Sequence, residues 1–152
     1  MTGTYTYAYP RPMLSVDAVV FCAVEREAHV LLIQRKHDPH AGAWALPGGF
    51  VEDMEPLDEA VARELVEETG LAGVALKQFR TYGDPGRDPR GHAVSVVYTG
   101  QWTGEASAVE AGDDAALAQW FPLSGLPELA FDHGDILRDI MAVKEQGAPH
   151  VR

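Results

Sequence analysis

One stretch of 23 residues, Gly49 to Leu71, constrains this chain more than any other part of it. It reads GFVEDMEPLDEAVARELVEETGL, and a segment crowded with acidic residues follows its glycine turn. At about 100° per residue, a helix from Pro56 to Thr69 places its apolar residues on one arc. Glu64 and Glu68 fall inside that arc, and Glu67 lies beside it. The apolar residues of the arc are Leu57, Ala60, Val61 and Leu65.

Carboxylates within an apolar stripe need a partner. Like charges one helical turn apart repel each other, and the repulsion grows when the groups are partly buried. Such a group either takes up protons or surrounds hard cations, and oxygen ligands of this type suit Mg²⁺ or Mn²⁺. Arg63 is the one basic side chain on this predicted helix, and it cannot neutralise three acids. We therefore favour a metal site, and we expect Arg63 to orient the carboxylates.

The same residues resemble the Nudix box. Every fixed position of that motif is filled, by Gly49, Glu55, Arg63-Glu64-Leu65, Glu67-Glu68 and Gly70-Leu71. The resemblance implies an α/β fold of the Nudix type, in which a mixed β-sheet lies between helices in an α/β/α sandwich. It also implies a hydrolase that cleaves the pyrophosphate of a nucleoside diphosphate derivative with Mg²⁺ or Mn²⁺.

Site residues follow from the resemblance. It implies that Glu64, Glu67 and Glu68 bind the metal together with the carbonyl of Gly48. The catalytic residues would be the same three glutamates and Arg63. Because they have no Cβ, Gly48 and Gly49 can take positive φ and let the backbone approach a metal or phosphate closely.

Length and charge limit the classes of function. A chain of 152 residues fits one domain, 1–152. Its net charge of -11 argues against binding to a nucleic acid polymer, since such proteins neutralise phosphates with clustered Lys and Arg. Cys22 is the only cysteine, so no internal disulfide forms, and no apolar run reaches the roughly 18 residues of a membrane span. We therefore expect a cytoplasmic protein that binds a small nucleotide.

Periodicity predicts the remaining elements. Leu14 to Val24 and His29 to Gln34 are apolar and rich in β-branched residues, which indicates a hairpin of core strands. A final helix begins at Phe131-Asp132, with Asp132 as a candidate cap. Its predicted apolar face consists of Ile136, Leu137, Ile140 and Met141. His133 could contact a ligand, but a surface or capping histidine is the commoner case. Further strands are predicted at Trp44 to Leu46, Val74 to Tyr82, His92 to Trp102 and Leu117 to Pro122.

The first residues also alternate. Thr4 to Tyr9 places Tyr5, Tyr7 and Tyr9 on one face, which predicts an edge strand. Its tyrosines either pack on their own domain, which we favour, or contact a substrate base or the second subunit of a homodimer.

Two loops supply candidate ligand contacts. Gly83 to His92 is rich in Gly, Pro, Arg and Asp, and it resembles the loop of the Nudix branch that hydrolyses ADP-ribose. Candidate contacts to phosphate or ribose are Arg35, Arg87, Arg90 and His92. The second loop, Gly104 to Ala116, is acidic. Its candidates for a general base or an extra metal ligand are Glu110, Asp113 and Asp114.

Three functions compete on this sequence. The first is cleavage of ADP-ribose to AMP and ribose 5-phosphate. The second is hydrolysis of another nucleotide, such as a dinucleotide, a nucleotide sugar or a damaged nucleoside triphosphate. The third is a non-catalytic ADP-ribose sensor fused to a DNA-binding module. The intact acidic residues disfavour the sensor, as do the roughly 30 residues after the last predicted strand, which leave little room for a winged-helix domain.

Overall fold

The computed structural model describes residues 4–146, and a mixed β-sheet of seven strands forms the centre of this part of the chain. The strands are β1 (Met13–Val24), β2 (Glu27–Arg35), β3 (Trp44–Ala45), β4 (Gly48–Phe50), β5 (Lys77–Tyr82), β6 (Ala93–Gln101) and β7 (Ala115–Pro122). The helices are α1 (Leu57–Thr69) and α2 (His133–Glu145), and short 3-10 turns cover Ala106–Ala108 and Leu123–Gly125.

Strand β1 organises the sheet. It pairs antiparallel with β2 and β4 and parallel with β6, while β5 extends the sheet beyond β6 and both β3 and β7 pair with β2. Its length of 12 residues lets one strand serve three neighbours. In register, Val16 lies opposite Gly49 and Asp17 opposite Gly48, so the glycine turn is fixed against the middle of the sheet.

The two faces of β1 carry separate cores. Val16, Ala18 and Val20 pack toward α1, and Val19 and Phe21 pack toward α2, as the two-residue period of a strand requires. Each helix buries one apolar side, which for α2 includes Ile136, Leu137 and Ile140. One helix on each face of a mixed sheet confirms the predicted α/β/α sandwich.

Most predicted elements are present within a few residues of the expected bounds. The hairpin of β1 and β2 turns at Glu25 and Arg26, which both have positive φ. Helix α1 begins after Pro56 and ends at Gly70, whose φ of 76° closes the helix in the left-handed conformation. Cys22 is buried, and burial raises the pKa of its thiol.

Two strand predictions need correction. Residues 4–12 form no strand in the structure, and Tyr5, Tyr7 and Tyr9 are all more than half exposed. Alternation creates a strand only where neighbouring backbone supplies partners, and the donors missing at Pro10 and Pro12 separate this segment from β1. The strand predicted from Val74 begins only at Lys77, because Val74 and Leu76 instead pack against the α1 core.

No helix within residues 4–146 combines the length and hydropathy that crossing a bilayer requires.

Candidate active site

A cleft of about 510 Å³ opens where α1, the glycine turn and the loops after β2, β5 and β6 meet. Nine Asp and Glu residues line it, against five Lys and Arg residues. This excess of negative charge would repel a phosphorylated ligand unless cations entered with it. The acidic residues of the lining are Asp17, Asp38, Glu52, Glu64, Glu67, Glu68, Asp88, Asp113 and Asp114.

Arg63 binds several carboxylates of the glycine turn and helix at once. Its Nε donates to Oε2 of Glu55 at 2.6 Å, and its Nη2 donates to Oε1 of the same residue at 2.9 Å. Its Nη1 reaches Oε1 of Glu64 at 2.8 Å and Oε2 of Glu67 at 3.1 Å. These hydrogen bonds, led by the one to Glu55, hold the pKa of Arg63 above its usual value. Arg63 thus contacts three carboxylates, and its role as their orienter stays a prediction.

Glu68 lies at the buried end of the cleft. Only 6% of this residue is exposed, and its Oε1 accepts the backbone N–H of Gly48 at 2.7 Å. Burial raises the pKa of Glu68 to about 8, with a further contribution from the charge of Glu64 and despite the Gly48 hydrogen bond. Burial likewise raises the pKa of Glu64, although Arg63 opposes this shift. Both carboxylates therefore favour an added proton or cation.

Gly48 and Gly49 do not use the positive φ that glycine allows, since both residues lie in the extended strand β4. Glycine is required here for close approach instead. A Cβ on Gly49 would lie 2.5 Å from Oε1 of Glu64, and a Cβ on Gly48 would overlap the Asp17 carboxylate. The backbone thus passes directly against two carboxylates of the cleft.

Arginine and phenylalanine side chains alternate along another part of the lining. The guanidinium of Arg90 lies 4.9 Å from the ring centre of Phe50 and 5.8 Å from that of Phe131. The guanidinium of Arg35 lies 5.0 Å from the ring of Phe131. Burial, followed by the charge of Arg90, lowers the pKa of Arg35. We call these four residues the arginine–phenylalanine wall.

The other candidates of the Gly83 to His92 loop have different surroundings. Arg87 lines the cleft, but its side chain is 6% exposed and donates to both carboxylate oxygens of Asp132, at 2.9 and 2.6 Å. Asp132 is the predicted cap of α2, but its side chain makes no capping hydrogen bond there. The pairing with Arg87 explains this difference. His92 does not line the cleft, and its Nε2 contacts the carbonyl of Gly83 at 2.7 Å.

The candidate acids of the loop before β7 also differ in their position relative to the cleft. Asp113 and Asp114 line the cleft, whereas Glu110 is exposed outside it. Lys36 holds this loop, since its Nζ donates to the carbonyl of Asp113 at 2.9 Å and its backbone N–H donates to that of Asp114. Of the three candidates for a base or extra ligand, these two share the cleft with Glu64, Glu67 and Glu68.

The donor set fits a hard divalent cation. Carboxylate and backbone carbonyl oxygens are the ligands that Mg²⁺ and Mn²⁺ prefer. A nearby cation would also lower the pKa of buried Glu68, which burial raises. Within residues 4–146, no three Asp, Glu, His or Cys side chains are already gathered as a cation site. Arg63 instead lies between Glu64 and Glu67 and contacts both.

Sequence reasoning missed Asp17 in this region and treated a ligand contact of His133 as the less common case. Asp17 is buried in β1 next to the glycine turn, and the only signal for it was a lone acid within an apolar run. The favoured interpretation of His133, a surface or capping residue, is wrong, because His133 is 4% exposed and lines the cleft. Its Nδ1 accepts the backbone N–H of Leu46 at 3.0 Å. A contact 87 residues apart in sequence leaves no trace in local periodicity.

Comparison with known proteins agrees with this geometry. A family model described as NUDIX domain matches residues 13–140. The chain is 45% identical over 136 residues to an ADP-ribose pyrophosphatase of Methanocaldococcus jannaschii. The aligned region covers 90% of this chain and 77% of that protein. It is 36% identical to the ADPR responsive transcriptional repressor NtrR of Acinetobacter baylyi over 88% of this chain, but it spans only 55% of the repressor.

Among solved structures, this chain is similar to the NUDIX domain of Shewanella oneidensis NrtR complexed with ADP ribose. The TM-score is 0.81 at 34% identity, covering 89% of this chain and 90% of the other. The family model, the relatives and the complete acidic motif lead to the same assignment, and the chain belongs to the Nudix family.

Proposed function

We propose that this protein hydrolyses the pyrophosphate bond of ADP-ribose to AMP and ribose 5-phosphate. The observation that carries the proposal is the juxtaposition, in one cleft, of the Glu64, Glu67 and Glu68 carboxylates with the arginine–phenylalanine wall. The first group suits a divalent cation, and the second suits a phosphorylated nucleotide. The 45% identity to an ADP-ribose pyrophosphatase supports the choice of substrate.

In this proposal Glu64, Glu67, Glu68 and the carbonyl of Gly48 hold Mg²⁺ or Mn²⁺. When bound, the cation offsets the charge of the pyrophosphate and lowers the pKa of a bound water. Arg63 keeps Glu64 and Glu67 oriented through its contacts with both and with Glu55.

A water that attacks phosphorus must lose a proton to a nearby base. Asp113 and Asp114 line the cleft and are our candidates for this role, and Glu110 is not, since it lies outside the cleft. The backbone contacts of Lys36 fix the loop that carries them.

Substrate contacts follow from the charges and rings of the wall. Arg35 and Arg90 are our candidates for contacts with phosphate oxygens, because guanidinium groups form strong charge-assisted hydrogen bonds with phosphate. Arg90 also donates to both carboxylate oxygens of Asp88, but its side chain is 40% exposed, whereas that of Arg87 is 6% exposed. Phe50 is 40% exposed and offers an aromatic face on which adenine would stack. We assign Arg87 to holding the loop through Asp132, and we assign His92 no contact with substrate.

A panel of nucleotides tests this function. The protein is incubated with Mg²⁺ or Mn²⁺ and ADP-ribose, a dinucleotide, a nucleotide sugar or an oxidised nucleoside triphosphate, and AMP and the other products are quantified. We expect the highest kcat/KM with ADP-ribose and no turnover in EDTA. A higher kcat/KM with one of the other nucleotides would mean that this nucleotide, and not ADP-ribose, is the substrate.

The sensor is the alternative from another class, and the similarity to NtrR and to the ADP-ribose-bound NrtR domain favours it specifically. Tight binding of ADP-ribose without turnover of any nucleotide, in Mg²⁺ and in Mn²⁺, would establish the sensor. Binding together with metal-dependent release of AMP would exclude it.

A cytoplasmic location and a homodimer remain predictions. The single buried Cys22 fits a reducing compartment. The exposed rings of Tyr5, Tyr7 and Tyr9 offer an aromatic surface to a second copy of the chain. Sedimentation tests the dimer on the wild type and on a variant with all three tyrosines changed to serine. If both proteins sediment with the mass of a monomer, the dimer is refuted.

A further inference from the structure

A buried polar cluster lies on the α2 side of the sheet, beside the cleft. It contains Asp17 of β1, Ser95 of β6 and His133 at the start of α2, which are all less than 10% exposed. The Ser95 hydroxyl donates to Oδ2 of Asp17, and Nε2 of His133 lies 3.7 Å from Oδ1 of Asp17. The proposed chemistry uses none of these side chains directly. Buried polar groups are costly unless their contacts are satisfied, so their position needs an explanation.

The contact with Leu46 determines which nitrogen of His133 carries the proton. A backbone N–H is always a donor, so Nδ1 of His133 accepts and carries no hydrogen. The neutral ring therefore has its hydrogen on Nε2, which faces Asp17. Burial lowers the pKa of His133; Asp17 and Asp132 act in the opposite direction, and the charges of Arg87 and Arg35 act with burial. The neutral form with this tautomer is the one that fits the site.

The segment that His133 contacts leads directly into the proposed metal site. Leu46 is followed by Pro47, whose carbonyl accepts the N–H of Ala18 at 2.8 Å. Gly48 comes next, and its N–H donates to Glu68. Hydrogen bonds thus fix three successive residues, and the first of these bonds comes from α2 on the far face of the sheet.

We infer that His133 is a positioning residue for the proposed metal site: by accepting the Leu46 N–H, it fixes the segment from Leu46 to Gly48 so that Gly48 faces Glu68 and the cleft. This inference rests on the proposed function and adds to it a residue from outside the Nudix box. Helix α2 then serves the site as well as the core.

Two substitutions separate the contacts of the ring. In His133→Asn, the amide oxygen stands near the place of Nδ1 and retains an acceptor for Leu46. In His133→Gln, the amide nitrogen stands near the place of Nε2 and retains a donor toward Asp17, but the N–H of Leu46 loses its acceptor. The same two changes at His29 provide the control, because this β2 residue lies outside the cleft and its Nδ1 contacts a backbone carbonyl, that of Glu27, rather than an N–H.

Three experiments are made on each variant: amide hydrogen exchange at Leu46, Gly48 and Gly49 in metal-free protein, Mg²⁺ affinity by calorimetry, and steady-state kinetics that give kcat and KM for ADP-ribose. For His133→Gln we expect roughly tenfold faster exchange at Leu46, roughly tenfold weaker Mg²⁺ binding and a similar fall in kcat, with KM nearly unchanged. His133→Asn should stay within about threefold of the wild type in each quantity. Both His29 variants should match the wild type.

Equal behaviour of His133→Asn and His133→Gln in exchange and in kcat would overturn the inference, even if both lower the melting temperature. A purely structural histidine gives that result. If the Gln variant does not fold, nitrogen-15 spectra of the wild-type imidazole decide the question. An unprotonated Nδ1 supports the inference, and a hydrogen on Nδ1 overturns it.

These results are separable from the proposed function. Failure of that function appears as a wild-type protein without turnover, whereas exchange at Leu46, the tautomer and Mg²⁺ affinity are measured without substrate. Failure of the inference appears as a wild-type enzyme that is active while the two His133 variants do not differ.

Discussion

The backbone N–H of Gly48 donates to Oε1 of Glu68 at 2.7 Å, so strand β4 and helix α1 are joined at the buried end of the acidic cleft. The amide stabilises the charged form of Glu68, whereas burial stabilises the protonated form and prevails, with the pKa raised to about 8. Because the pKa of Glu68 lies near neutral pH, its charge responds both to a bound metal and to pH. Two of the predictions below depend on this carboxylate.

Glu68→Gln should abolish most of the activity. The substitution preserves size and removes the charge that we assign to a metal ligand. Loss of a group that merely supports a ligand lowers metal affinity or activity about 10- to 100-fold, so we expect a fall in kcat of at least about 100-fold and weaker Mg²⁺ binding. Glu59→Gln, on the exposed side of the same helix, is the matched control. Full activity of Glu68→Gln in Mg²⁺ would refute the metal assignment.

The stability of the metal-free protein should fall as pH rises through the pKa of Glu68. The folded state keeps its proton up to about pH 8, while the unfolded chain releases it near the usual pKa of 4.5. The folded state therefore binds more protons between these values, and the free energy of unfolding decreases with rising pH by a few kcal/mol at most.

Chemical denaturation from about pH 5 to about pH 9 checks this effect. We expect a decline for the wild type in EDTA, a smaller decline for Glu68→Gln, and a recovery when Mg²⁺ is added to the wild type at the higher pH. Parallel curves for the wild type and Glu68→Gln would show that Glu68 does not titrate in this range.

Arg63→Lys should impair both stability and activity, because a lysine cannot reproduce the forked contact with Glu55. Arg63 makes two hydrogen bonds to that carboxylate and still reaches Glu64 and Glu67. We expect the free energy of unfolding to fall by about 1 to 3 kcal/mol and kcat to fall about tenfold or more. Arg138→Lys, an exposed arginine on α2, is the control for a surface change. Unchanged kcat in Arg63→Lys would exclude the orienting role.

Local spacing predicted the part of the site that lies within one helix and one turn. Glu64 and Glu68 were placed on the apolar side of α1 by a 3.6-residue period, and Glu68 is buried there. The hairpin of β1 and β2 followed from two apolar runs and a short charged turn. Such features depend on residues close in sequence, so periodicity reports them well.

Contacts between distant residues were not predicted. Arg87 was expected to bind substrate, yet its partner Asp132 lies 45 residues away. A surface or capping role was favoured for His133, yet it contacts Leu46, which is 87 residues away in sequence. Periodicity tells which face a side chain occupies, and the packing of elements decides which partner it meets. The same limit applies to Gly48 and Gly49. Only glycine fits at these positions because the Asp17 and Glu64 carboxylates, which are distant in sequence, lie against the backbone.

The pairing of Arg87 with Asp132 should appear as coupling between the two residues. Replacing either one by alanine leaves a largely buried charge without its partner, and we expect each single change to cost about 3 kcal/mol. The double variant should cost clearly less than the sum, with a coupling of more than about 1 kcal/mol. Urea denaturation of the four proteins measures it. Additive costs, together with a raised KM in Arg87→Ala alone, would return Arg87 to the substrate contacts.

Phe50→Ala should weaken binding of the nucleotide without changing the chemical step. Phe50 is 40% exposed in the cleft, and its ring lies under the guanidinium of Arg90. Stacking of a base on an aromatic ring contributes about 1 to 3 kcal/mol, so we expect KM for ADP-ribose to rise roughly tenfold while kcat changes less than about threefold. Phe50→Tyr should retain the wild-type KM.

Steady-state kinetics on these variants and on Leu117→Ala decide the role of Phe50, because Leu117 is an exposed apolar side chain outside the cleft. A KM for Phe50→Ala equal to that of Leu117→Ala would place the adenine elsewhere. A loss of kcat at unchanged KM would instead mean that the phenylalanine supports Gly49 and the glutamates beside it, because Phe50 directly follows Gly49 in β4. Only a raised KM that Phe50→Tyr restores fits a stacked base.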